Sequence, residues 1–392
     1  MSFDLLTEEQ REIRELVRTL ASEKIAPRAA EIDESHEFPW DVVDVFRDHD
    51  IFALLFGEKY GGTGTGTLLA LVAMEEVSKV CATSGLILAV QELGSLGIKL
   101  AGNEEQKQRY LPKFASGEWI AAYALTEAGS GSDSAAMRAT ATRDGDHYVL
   151  NGGKRFITNA GVAHVYVVFA KTDAEGGHGG ISAFVVEADT PGFEVTRLEP
   201  KMGISGSTTG ELLFTDMRIP AENLLGQEGE GFKIAMRILD RSRPGIAAQA
   251  LGIAQGATDY ALEYAKTRET MGKPIAAHQL IAGKLADMET ECEAARGLLY
   301  RFGMMADAGI DGPELTKASA MAKLKCGDVA MYTTTEAVQI LGGYGYIKEY
   351  PVERYMRDAK ITQIYEGTQE VQRLVIAREM VREDRAFLLA GV

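Results

Sequence analysis

The spacing of apolar residues changes period twice along this chain, near residue 119 and again near 229, and the two switches confine it to few folds. Ahead of the first switch, Thr7-Glu8-Glu9-Gln10 reads as a capping box, with Ile13, Leu16, Val17 and Leu20 following on one helical face. Helical spacing continues through 68–80. The glycine-rich segment 61–66 before it lacks both a Lys-Ser/Thr ending and a preceding strand, so it reads as a surface connection rather than a phosphate cradle. Between the switches, 139–143, 147–150 and 154–158, separated by turns at Asp144-Gly145 and Asn151-Gly152-Gly153, read as consecutive antiparallel strands. Segments 165–171, 181–187, 193–197 and 211–218 add further strands, and 176–180 reads as a hairpin tip with no helix behind it to bind phosphate. Helical spacing returns in 232–266, 276–308 and 314–341, and a last run starts near 368. The expected fold class is therefore α+β. An N-terminal α-helical domain covers 1–118, a central antiparallel β-barrel or sandwich 119–228, and a C-terminal four-helix bundle 229–392. Blocks in that order do not carry the alternating βαβ plan of a doubly wound nucleotide fold.

Composition narrows the function classes. A chain of 392 residues, 46% apolar and 25% charged, has material for two or three core-forming units. Its net charge of −16 works against nucleic-acid binding, which needs a basic face. Cys81, Cys292 and Cys326 are odd in number and far apart, which suits core positions rather than disulfides or a zinc cluster. The six histidines show no metal-ligand spacing, so no metal is expected. No apolar run reaches the roughly 20 residues of a membrane span. The acidic, amphipathic start Met1-Ser2-Phe3-Asp4-Leu5-Leu6-Thr7-Glu8-Glu9 is unlike a signal peptide, which makes the cytoplasm the expected compartment.

Chemistry concentrates in a few segments. In Ile364-Tyr365-Glu366-Gly367-Thr368-Gln369-Glu370-Val371-Gln372-Arg373, Gly367 permits a sharp corner, and Thr368 can cap the helix whose apolar run continues at Leu374 and Val375. Glu366 on that corner either complements the helix dipole or serves as a catalytic base. The loop 123–133 gathers Thr126, Gly129, Ser130, Gly131 and Ser132, whose amides and hydroxyls suit a flat polar ring or a pyrophosphate, though an ordinary Ser/Gly turn has the same composition. Phe156-Ile157-Thr158 places an aromatic and a hydroxyl at a strand end. Asp240 and Arg243 lie three apart on a helix, as a solvated ion pair or as the lining of a ligand channel. Gln339-Ile340-Leu341-Gly342-Gly343-Tyr344-Gly345-Tyr346 ends a helix with more glycine than a C-cap needs.

Segments 123–133, 339–343 and 364–373, in that order on a helix–β–helix plan, resemble the signatures of the acyl-CoA dehydrogenase family, and the likeness runs from about 6 to 382. Segment 239–256 and the run to Gln279 look most like short-chain and short branched-chain members. The resemblance implies FAD-dependent α,β-dehydrogenation of a short linear or branched acyl-CoA to a trans-2-enoyl-CoA, as in fatty-acid β-oxidation. Glu366 would take the α-proton, flavin N5 would accept the β-hydride, and an electron-transfer flavoprotein would receive the electrons. FAD contacts are implied at Tyr123, Leu125, Thr126, Gly131, Ser132, Phe156, Ile157, Thr158, Thr368 and Glu370. Arg268, Gln279, Gln339, Gly342 and Gly343 would be offered by a neighbouring subunit of a homotetramer, a dimer of dimers. Substrate contacts are implied at Ser132, Asp240, Arg243 and Gly367. Three positions depart from the family pattern: Ala128 stands where proline is common, Phe156 where tryptophan often covers the flavin, and Gln369 where serine is frequent. Some branches carry the base at the position of Ser242, so serine there with Glu at 366 favours the usual arrangement. An acyl-CoA oxidase or an enoyl-CoA reductase on the same scaffold is the alternative activity, and acyl carrier protein could replace coenzyme A. An FAD-free helical assembly or binding protein is the non-enzymatic alternative.

Overall fold

The computed structural model describes the backbone of residues 5–390 and the side chains of 5–382. Six helices come first: α1 (Glu8–Leu20), α2 (Ala29–Ser35), α3 (Trp40–Asp48), α4 (Thr67–Ser78), α5 (Ala82–Ala101) and α6 (Glu104–Ala115). The capping box at Thr7 forms as its sequence implies, with Gln10 N donating to Thr7 Oγ1 and Thr7 N to Gln10 Oε1. Asn103 and Gln106 repeat the device at α6. One helix bears on the expectation about membrane spans. Over its 20 residues α5 is long and apolar enough to cross a bilayer, but 78% of that window is buried inside the protein. A helix that is apolar all round can equally be the centre of a water-surrounded core. All three cysteines are buried and free.

The strands β1 (Ala121–Ala124), β2 (Thr140–Asp144), β3 (His147–Thr158), β4 (Val165–Lys171), β5 (Ile181–Glu187), β6 (Phe193–Leu198), β7 (Thr209–Pro220) and β8 (Leu224–Leu225) form one sheet. Its order is β6-β7-β3-β2-β4-β5-β8, with β1 against β4. Most pairs are antiparallel, but β1 lies parallel to β4, and β2 meets β4 only at the parallel pair Thr140–Lys171. The expected turn at Asn151-Gly152-Gly153 is instead an irregularity inside β3, where the register with β7 shifts between Leu150 and Gly152. Gly152 has φ +131, and a Cβ there would come within 2.7 Å of the Ala139 Cα, so close packing of β3 on the preceding segment requires the glycine.

The C-terminal part contains α7 (Gly231–Thr267), a short hairpin of β9 (Glu269–Thr270) and β10 (Lys273–Pro274), α8 (Gln279–Asp307), α9 (Pro313–Leu341), α10 (Val352–Ile361) and α11 (Gln369–Ala390). Its four long helices are α7, α8, α9 and α11. Side chains on Gly252 and Gly256 of α7 would overlap the Glu75 and Lys79 carbonyls, so α7 rests on the backbone of α4 and joins the two helical parts. Arg357 of α10 reaches back to α2, with Nη2 2.6 Å from Asp33 Oδ2 and Nη1 3.0 Å from Asp33 Oδ1.

Candidate functional site

Sheet, α5, α7 and the corner before α11 enclose a cavity of about 910 Å³. The corner is built by two successive left-handed residues, Glu366 at φ 51 and Gly367 at φ 94. Glycine takes that conformation freely, whereas glutamate does not. Thr368 Oγ1 accepts from Val371 N at 3.4 Å, so the threonine provides the cap of α11. The Glu366 carboxylate instead turns to α7, where Ser242 Oγ donates to its Oε2 at 2.6 Å. Burial pushes the Glu366 carboxyl up to about 7, against the Ser242 hydrogen bond and the charges of Arg243 and Lys323. A side chain with that affinity can hold or release a proton near neutrality.

The loop after β1 is anchored from below. Lys154, with none of its side chain exposed, places Nζ 2.8 Å from Glu127 Oε1 and 3.1 Å from the Leu125 carbonyl. Glu127 also accepts from Arg138 N and Ala139 N. These bonds turn the Thr126 side of the loop and Gly131 towards the cavity, where a side chain on Gly131 would meet nothing within 4 Å. Across the cavity, Phe156 holds φ 58 and stays 58% exposed, its ring beneath the Arg155 guanidinium. Among the described residues Tyr123 OH is buried without a hydrogen-bond partner, and Arg243 Nε shares that condition. An open glycine surface, an exposed aromatic ring and unpaired buried donors fit a flat polar ring system such as the flavin of FAD.

The cavity brings together most of the residues singled out in the sequence: Tyr123, Leu125, Thr126, Gly131 and Ser132 from the first loop, Phe156, Ile157 and Thr158 from β3, and Arg243, Glu366, Gly367 and Thr368. Asp240 and Glu370 lie outside its lining. Asp240 stands behind Arg243, accepting from Arg243 Nη1 at 2.8 Å and from Thr316 Oγ1 at 2.8 Å. Arg243 is only 4% exposed, so this pair is not a solvated one. Arg268 and Gly343 line a different cavity of about 410 Å³ at the far end of α7, and Gln279, Gln339 and Gly342 are exposed. Within one chain these five residues do not reach Glu366's cavity.

Several contacts escaped the sequence reading. The hairpin tip at 176–180 carries His178 onto the cavity wall, stacked on Phe232 with ring centroids 4.1 Å apart. Ser242 touches Glu366 from 124 positions away. Lys323 and Gln372 both donate to the Gly367 carbonyl, at 2.7 and 2.8 Å. The local sign for Lys323 is a lysine interrupting the row Ser319, Cys326 and Ala330 of α9, all of them buried.

Comparison with known proteins follows the same outline. Residues 7–118, 122–217 and 229–381 match the N-terminal, middle and C-terminal domain models of acyl-CoA dehydrogenase, respectively. The short-chain specific acyl-CoA dehydrogenase of Clostridium acetobutylicum is 49% identical over 97% of this chain and 100% of its own. The structure of butyryl-CoA dehydrogenase from Megasphaera elsdenii superposes with TM-score 0.93 at 45% identity, covering 97% of this chain and 100% of that one. A chain in the structure described as the electron transferring flavoprotein of Acidaminococcus fermentans superposes with TM-score 0.94 at 47% identity, again covering 97% and 100%. Matched across all three regions, the chain belongs to the acyl-CoA dehydrogenase family of FAD-dependent flavoprotein oxidoreductases.

Proposed function

We propose that this enzyme dehydrogenates a short linear or branched acyl-CoA to the trans-2-enoyl-CoA, with Glu366 as the α-proton base. The observation that carries the reading is the Glu366 carboxylate, held by Ser242 at the wall of a cavity whose other side suits a flavin. Short-chain preference is supported by the specificity named for the Clostridium acetobutylicum and Megasphaera elsdenii relatives.

Removing an unactivated α-hydrogen as a proton needs a positioned base, worth roughly 10² to 10⁴ in rate. Ser242 orients that base, the Arg243 charge favours its ionised form, and burial makes it basic enough to accept the proton. The developing enolate-like charge on the thioester oxygen needs a donor. The Glu366 backbone N–H makes no hydrogen bond among the described residues, and one such donor is worth roughly 10² to 10³. Leu125, Thr126, Phe156, Ile157 and Thr158 would hold FAD, which supplies the acceptor for the β-hydrogen and its electron pair. Ser132, Arg243 and Gly367 would contact the acyl-CoA, and Asp240 would act through Arg243.

Arg268, Gln279, Gln339, Gly342 and Gly343 would serve the FAD of a neighbouring subunit in a homotetramer, which accounts for their distance from Glu366. The cytoplasm is the proposed compartment, and domain limits near 118/119 and 228/229 are proposed in the connections before β1 and α7. An electron-transfer flavoprotein is the proposed acceptor, supported by the description of the Acidaminococcus fermentans structure.

Anaerobic titration of the yellow holoenzyme with acyl-CoAs of varied length and branching tests the reading. The unsubstituted enzyme should bleach with short chains, and Glu366→Gln should keep its FAD yet stay yellow. Bleaching of that variant at the unsubstituted rate would sink the base assignment.

A further inference from the structure

Behind the cavity wall lies a charged group that proton removal at Glu366 leaves without a task. Lys323 of α9 has no exposed surface. A buried ammonium persists only where hydrogen bonds and opposite charge replace its water. Two acceptors are present, the Gly367 carbonyl at 2.7 Å and Gln369 Oε1 at 3.3 Å. Lys323 makes no direct ion pair among the described residues. Its charge is felt first by Glu366, then opposed by Arg243 of α7, with Asp328 of α9 and Glu370 of α11 contributing beyond them.

We propose that Lys323 is the positioning residue of the base, clamping the Gly367 carbonyl from outside the cavity while its charge keeps the Glu366 carboxyl in the ionised, proton-accepting form. That carbonyl closes a corner of two left-handed residues. Its second donor, Gln372 Nε2, comes from α11, so α9 and α11 grip the corner together. Glu366 faces Ser242 and Arg243 from α7, Lys323 from α9, Tyr123 from β1 and Tyr365 beside it. Arg243 is already paired with Asp240, which leaves Lys323 as the cation without a carboxylate of its own. Burial drives the carboxyl up to about 7 and the ammonium down to about 8; Glu366 is the first charge that holds Lys323 protonated, and Lys323 adds to the Ser242 hydrogen bond and the Arg243 charge in holding Glu366 ionised. Gln369 fits the same scheme. Standing where serine is frequent in the family, it accepts from Lys323 and donates to the Leu324 carbonyl and Asp328.

This role rests on Glu366 as the α-proton base, and the first part of its test is read without turnover. In holoenzyme labelled with carboxyl-¹³C glutamate, the infrared carboxylate band lost in Glu366→Gln reports the ionisation of Glu366 across pH. Lys323→Met removes clamp and charge, whereas Lys323→Gln keeps a donor without charge. In both, the titration midpoint should rise by about one pH unit. Below the midpoint kcat should fall by about tenfold and recover at high pH, with KM little changed. Lys323→Arg should keep the original midpoint. An unmoved midpoint in either neutral variant, an equal shift in Lys323→Arg, or a kcat loss uniform in pH would overturn the role. Where the Met variant fails to hold FAD, the Gln variant gives the same reading. Turnover surviving in Glu366→Gln would instead remove the base assignment, while the infrared midpoints still decide whether Lys323 governs that carboxyl.

Discussion

Glu366 bears two local costs at one position. Its left-handed backbone is unfavourable for a non-glycine residue by about 1 kcal/mol or more. Its carboxyl is also buried, and burial has raised its pKa to about 7. A carboxyl raised above its unfolded value of 4.5 adds stability that is complete below that pH and lost as pH rises through about 7. Glu366→Gln should therefore be more stable than the unsubstituted protein at pH 8, by about 1–2 kcal/mol once the cavity's solvent is allowed for, and near equality should return at pH 4.5. Calorimetric melting at the two pH values checks this, and an equal gap at both would separate burial from the raised affinity. The corner itself was legible in sequence, because glycine before a threonine-capped apolar run obeys local rules. Ser242 was visible only as a position where other branches carry their base. Its contact with Glu366 depends on two elements meeting in space, which local periodicity does not encode.

At the scale of elements, the strands 165–171 and 181–187 could be bounded from the sequence because each is a continuous apolar run between polar or glycine-rich flanks. Asn151-Gly152-Gly153 misled for a physical reason. The same residues suit a turn and a bulge, and the proximity of Ala139 decides between them. The Lys154–Glu127 pair was equally hidden, since it joins β3 to the loop after β1. Lys154→Met leaves Glu127 buried without its cation, and a loss of about 3–5 kcal/mol is expected in urea unfolding, with weakened FAD retention. Unchanged unfolding would show that the backbone amides of Arg138 and Ala139 alone satisfy the carboxylate.

Across the whole molecule, the order helices, sheet, helices was readable from the two changes of period, but the way α7 rests on α4 and Arg357 ties α10 to α2 was not. The cavity draws on all three parts, whereas Arg268 and Gly343 sit at another one. If they serve a neighbour, the protein should sediment as four 42.4 kDa chains, and Arg268→Ala should lower FAD occupancy severalfold without changing the Glu366 titration. Monomeric sedimentation with full FAD retention would contradict that assignment. One consequence follows from the single Thr140–Lys171 pair between the two halves of the sheet. The first loop and Phe156 belong to opposite halves, and a few bonds, Lys154 to Glu127 and Arg155 N to the Thr126 carbonyl, set the gap between them. The width of that aperture is therefore fixed by contacts outside the strand ladder, one of them backbone to backbone, so the strand pairing alone does not determine how the two walls of the cavity face each other.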